Sequence, residues 1–162
     1  MKKLLLLILL SLYCWGYGQN LSLSQLISLR TMDLDNMETM LNQKGWKFIN
    51  AEQGENSSGT VSFIYSSTNS LQYGEAFLSR FTFENSEDTI WLQISKQAKY
   101  LEYLNAVKSF NPTLTFSGAR DNSLVKIYQG ATTTFEFATS TTIDKYGQEA
   151  PSWFLTIYKN RY

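Results

Sequence analysis

The chain has 162 residues, is 43% hydrophobic and 15% aromatic, and carries only 17% charged residues with a formal net charge of zero. That composition supplies a core for one ordinary domain and excludes the clustered basic surface of a nucleic-acid binder. The chain has no histidine and one cysteine, so Ser–His–Asp and Cys–His catalysis are excluded, and zinc, copper and haem lose their usual ligands.

Lys2 and Lys3 precede an apolar run from Leu4 to Leu12. The run is too short for a bilayer, which needs about 20 residues, and reads as a secretory signal peptide. Gly16 and Gly18 place small side chains where a signal peptidase pocket requires them, so residues 1–18 are expected to leave and Gln19 to become the N-terminus. The lone Cys14 follows Tyr13, whereas a lipid anchor requires a small residue there. Cys14 is therefore expected to leave with the leader, and the remaining chain has no thiol or disulfide chemistry. This leader resembles those of small exported α+β proteins of Bacteroidota type, in which a mature N-terminal Gln is common. The resemblance implies export, with the periplasm favoured over the medium, and implies no activity.

Residues 19–162 are expected to form a single α+β domain. A short helix is predicted over Leu23 to Leu29 behind Ser22. The spacing of Leu34, Met37, Met40 and Leu41 predicts a second helix, capped by Asp33 and stopped at Gly45. "WKFI" (46–49) predicts a short strand, and "TVSFIYS" (60–66), "FLSRFTF" (77–83) and "TIWLQIS" (89–95) predict three more. A third helix is predicted over residues 95–110 with Ser95 as its cap and Leu101, Leu104 and Val107 as its apolar face. "LTF" (114–116), "SLVKIYQ" (123–129), "TTTFEFA" (132–138) and "SWFLTIY" (152–158) repeat the strand set.

The order helix, four strands, helix, four strands suggests a tandem duplication, with repeats over 19–95 and 96–162. A shift of 64 overlays Met37 on Leu101 and Met40 on Leu104. A shift of 63 overlays Ile64-Tyr65 on Ile127-Tyr128, and Ile90 and Leu92 on Trp153 and Leu155. A shift of 54 overlays Phe81 and Phe83 on Phe135 and Phe137, with long loops expected at 67–75 and 139–151. Two antiparallel four-stranded sheets would then join edge to edge with the helices on one face. That layout is similar to exported tandem modules of the β-lactamase-inhibitor-protein type; the likeness is one of topology and carries no function.

Strand alternation sends every second residue to the face away from the helices. Trp91, Phe154 and Tyr158 alternate against apolar neighbours, and Tyr65 and Tyr128 occupy matching positions. An aromatic strip of these five is the expected binding surface, assisted by Tyr73 and Tyr146 in the two long loops. The expected partner is a cell-envelope protein. The alternative is a small apolar ligand or lipid held in a pocket between sheet and helices. Glu52, Glu55, Glu75, Glu84, Glu87, Asp88 and Glu149 leave a carboxylate-dependent hydrolase or a Ca²⁺ site as remote alternatives, because paired carboxylates serve both. Turn chemistry accounts for the same residues without function. Asp88-Thr89-Ile90 resembles the Asp-Ser/Thr-apolar O-glycosylation sequon of Bacteroidota-type bacteria, which makes Thr89 a candidate modification site. Asn20 and Asn56 fit the N-glycosylation pattern. No cofactor, metal or nucleic acid is expected.

Overall fold

The computed structural model describes residues 21–54, 58–66, 74–84, 86–143 and 147–160. Cys14, Gly18, Gln19, Asn20, Glu55, Asn56, Tyr73 and Tyr146 lie outside the described residues. Helix α1 (Leu23–Ser28) begins at a reciprocal cap: the Ser22 hydroxyl accepts from the Gln25 N–H at 3.2 Å, and the Gln25 side chain accepts from the Ser22 N–H at 2.9 Å. Helix α2 (Leu34–Gln43) begins where an Asp33 carboxylate oxygen accepts from the Asn36 N–H at 2.9 Å. It ends at Gly45, whose φ of 81° is the left-handed geometry that glycine adopts without strain. Helix α3 (Gln97–Lys108) departs from expectation at its start: Lys96 is the cap and makes no side-chain capping bond. It ends at Asn111, also left-handed at φ 51°, followed by Pro112.

Eight strands follow the expected order: β1 (Trp46–Gln53), β2 (Gly59–Tyr65), β3 (Ala76–Phe83), β4 (Ser86–Ile94), β5 (Thr113–Arg120), β6 (Ser123–Gln129), β7 (Thr133–Ile143) and β8 (Glu149–Lys159). They form one antiparallel sheet in the order β1-β2-β3-β4-β8-β7-β6-β5. β1 and β5 are full eight-residue strands, longer than the short strands expected there. Each carries a bulge, at Ile49 and at Thr115. The β5–β6 hairpin turns on Asp121 and Asn122, both left-handed at φ 50° and 59°, which suits the right-handed twist of the strands they join.

The expected loop 139–151 is mostly paired strand. Thr139 pairs with Trp153, and the ladder runs on to Ile143 opposite Glu149. The threonines at 139, 141 and 142 favour extended backbone and carry the strand through this stretch.

The register carries one apolar row across the sheet's middle: Phe63, Leu78, Leu92, Leu155 and Phe137 are successive cross-strand partners. These belong to one core with Leu26, Leu29, Met37, Leu41, Tyr103, Leu104 and Val107 of the helices and their connections. The helices therefore lie on one face of the sheet. The α3 face differs from the expected one. Leu101 is 44% exposed, while Tyr100, Tyr103, Leu104 and Val107 are buried. The 64-residue overlay thus sets a buried Met37 on an exposed Leu101. The 54-residue overlay fails as well: Phe135 and Phe137 face the helices, whereas Phe81 pairs with Thr60 and Thr89 on the other face.

Candidate binding face

The face opposite the helices is built from the alternate residues of the same strands. Ile90, Leu92 and Ile94 turn to the core, so Thr89, Trp91 and Gln93 turn away from it. Leu155 and Ile157 do the same for Phe154, Thr156 and Tyr158. Trp91 pairs with Thr156, and Phe154 pairs with Gln93, so the two rings are diagonal neighbours across the β4–β8 seam. They stack, with centroids 5.4 Å apart and an interplanar angle of 29°, within the offset-stacking range of aromatic pairs. Both are half-buried.

Two hollows flank this stack. One, of about 340 Å³, is lined by Ile49, Asn50, Ser62, Phe77, Ser79 and Trp91. The other, of about 390 Å³, is lined by Phe83, Thr89, Arg120, Glu136, Thr156 and Tyr158. Arg120 of β5 reaches inward across β6 to pair with Glu136 of β7, and its guanidinium lies 5.9 Å from the Phe116 ring centre. The hydrogen bond to Glu136, reinforced by that carboxylate's charge, holds the Arg120 pKa above its ordinary value. The Arg120 side chain is 44% exposed, so the pair places two charges at the rim and adds little stability. Gly74 closes the far end of the face. A Cβ there would lie 2.6 Å from the Ile64 side chain and 2.9 Å from the Phe77 ring, a close approach that glycine alone permits.

Trp91, Phe154 and Tyr158 thus share the open face, and Thr89 lies in the second hollow beside Tyr158. Tyr65 and Tyr128 do not join them. Tyr65 packs on the helix side, 5.6 Å from Trp46, and Tyr128 is buried in the core 6.0 Å from Phe137. Their register explains this correction: Tyr65 is opposite Ala76 and Tyr128 opposite Phe135, both core-facing. It is Ile64 and Ile127, one residue earlier, that turn outward.

The carboxylates occupy separate places. Glu52 accepts from the Asn50 side chain at 3.1 Å. Glu87 and Asp88 are strand residues, not turn residues. Glu87 pairs with Arg30 and, at 2.8 Å, with Lys159; Asp88 pairs with Arg80. The Lys159 hydrogen bond, with the nearby Lys159 and Arg30 charges, holds the Glu87 carboxyl below its ordinary range. Among the described residues no group of three or more Asp, Glu, Cys or His side chains is placed to hold a metal ion. No helix among them is long and apolar enough to cross a membrane.

Sequence reasoning passed over Arg30, Arg80 and Asn160. Arg80 had a readable signal: it continues the core-facing alternation Ala76, Leu78, Arg80, and a charge at such a position implies a buried partner. Asn160 had none. It clamps the β6–β7 turn by donating to the Gly130 carbonyl at 2.9 Å and accepting from the Thr134 hydroxyl at 2.8 Å. No family model, curated protein or solved structure matches this chain.

Proposed function

We propose that the protein is an exported, non-enzymatic binding protein of the cell envelope that engages a protein partner through its open sheet face. The carrying observation is the Trp91–Phe154 stack, set at the seam of a face turned away from all three described helices. Rigid aromatic side chains flanked by hollows and a polar rim are the usual composition of an interaction hot spot. The pocket reading asked for space between sheet and helices; there the side chains of Leu78, Leu92, Leu155 and Phe137 are almost wholly buried against the helical residues.

Export rests on the Lys2-to-Gly18 leader, with cleavage before Gln19 and the periplasm as destination. Duplication is part of the same proposal. It is supported by Leu92 pairing with Leu155 at the seam, 63 residues on, and by Tyr65 and Tyr128, also 63 apart, each packing on the helix side. Bulges in both edge strands add to it.

The test is affinity capture of the tagged, cleaved protein from its own envelope fraction after mild cross-linking. Wild type is expected to retain one stoichiometric protein. Trp91→Ala and Phe154→Ala are expected to weaken that retention by about tenfold or more with little change in the far-UV circular dichroism spectrum. Retention that ignores both substitutions, or a bound small molecule with no protein, would overturn the reading.

A further inference from the structure

We propose that the free edge of β5 is a self-association surface, through which two copies of this chain pair antiparallel about a twofold axis. β5 ends the sheet and pairs only with β6, so along its other side the outward N–H and C=O groups have no strand partner among the described residues. Such an edge takes an extended strand by main-chain hydrogen bonding. All of its residues are exposed except the half-buried Gly118, so β5 contributes no side chain to the core.

The two edges of the sheet are treated differently. β1 carries Lys47 and Glu52, and its Trp46 is buried beneath the helices. β5 carries no charge from Thr113 to Ala119 and no proline, so it lacks the usual guards of an edge strand. Its one protection is the bulge at Thr115, which leaves Phe116–Arg120 in regular register. Around that edge the helix layer stops short: α3 packs over β4 and β8. Phe110, Leu114 and Leu124 are consequently 63%, 51% and 67% exposed.

Charge selects a second copy as the occupant. The only charge on β5 is Arg120, at one end and already paired with Glu136. An axis through Gly118 sets Phe116 of each copy opposite Arg120 of the other and opposes no like charges. The guanidinium already sits near its own Phe116 ring, so a cation–aromatic contact across the axis is chemically available. A twofold pairing consumes both β5 edges and closes as a dimer.

Sedimentation equilibrium of the cleaved full chain, from about 5 to about 500 µM, tests this. A monomer–dimer equilibrium is expected. Ser117→Lys and Ala119→Lys each place a charge one residue from the axis and are expected to weaken it about tenfold or more, because the like charges of the two copies then meet as diagonal cross-strand neighbours about 7–8 Å apart. Ala51→Lys on the exposed part of β1 is expected to leave it unchanged. Amide exchange of wild type supplies a reading independent of folding of the variants: protection over Thr113–Arg120 should rise with concentration. A monomer at every concentration, an open-ended polymer, equal weakening by Ala51→Lys, or concentration-independent exchange of β5 would each overturn the proposal.

Discussion

At the residue scale, buried polar groups do the specifying. Tyr103 is 1% exposed, and its hydroxyl donates to the Leu21 carbonyl at 2.7 Å. Burial raises its pKa, so it stays a neutral donor throughout the ordinary pH range. The bond ties the segment before α1 to α3. Tyr103→Phe is expected to lower stability by about 1 kcal/mol, since it removes the donor and leaves the carbonyl without it; urea denaturation measures this directly. Arg80 shows the same economy on the sheet. It bonds Asp88, the Met32 carbonyl and the Met37 sulphur, the last at 3.8 Å, so one guanidinium joins β3, β4 and α2.

At the element scale, the connection between α1 and α2 is clasped to the start of β4. Arg30 donates to the Asp88 carbonyl at 3.2 Å and to the Thr133 hydroxyl at 3.2 Å, and pairs with Glu87. Two acids of this region have lowered pKa values: Glu87, through Lys159 first and Arg30 next, and Asp33, through the backbone hydrogen bond from Asn36 first. A carboxyl depressed in the folded state stabilises above its ordinary value and loses that contribution as pH falls through the depressed one. Thermal stability is therefore expected to be flat from neutrality down to about pH 5 and to fall below the ordinary values of 4.5 for Glu87 and 3.8 for Asp33. Glu87→Gln should shallow that acid limb in a series of melting curves; an unchanged limb would place the titrating groups elsewhere.

Local signals made most elements legible in the sequence. Ser22 with Gln25, Asp33 before an amphipathic stretch, and Gly45 each act on their own neighbours, and period-two alternation marks Ile90 to Ile94 and Trp153 to Ile157. What was not legible depends on register. Tyr65 and Tyr128 alternate as well as Trp91 does, and only the pairing of β2 with β3 and of β6 with β7 decides which face they take. The same dependence hid the Arg120–Glu136 pair, whose members are 16 residues apart and two strands apart. The β7–β8 ladder beyond Thr139 was hidden by Pro151 and Gly147, residues that ordinarily mark a loop.

At the scale of the whole molecule, the seam between β4 and β8 joins the first four strands to the last four. Ile90–Ile157, Leu92–Leu155 and Ile94–Trp153 are its core-facing pairs. Leu92→Ala is expected to cost about 3 kcal/mol, the usual range for a fully buried leucine being 2–5. Because one core crosses the seam, circular dichroism and tryptophan fluorescence should report the same lowered midpoint. Separate transitions would show two halves that fold independently.

The position of β8 has a consequence for the order of events during synthesis. It is the last strand in the chain among the described residues, yet it sits between β4 and β7 in the finished sheet. Until it emerges, β4 and β7 each present a bare hydrogen-bonding edge, and Leu155, the shared partner of Leu92 and Phe137, is missing. Closure of the sheet therefore waits on contacts of long sequence separation, which form slowly. In that interval the edges of β4 and β7 are both open to mispairing with another extended chain, and the arrival of β8 closes the two at once.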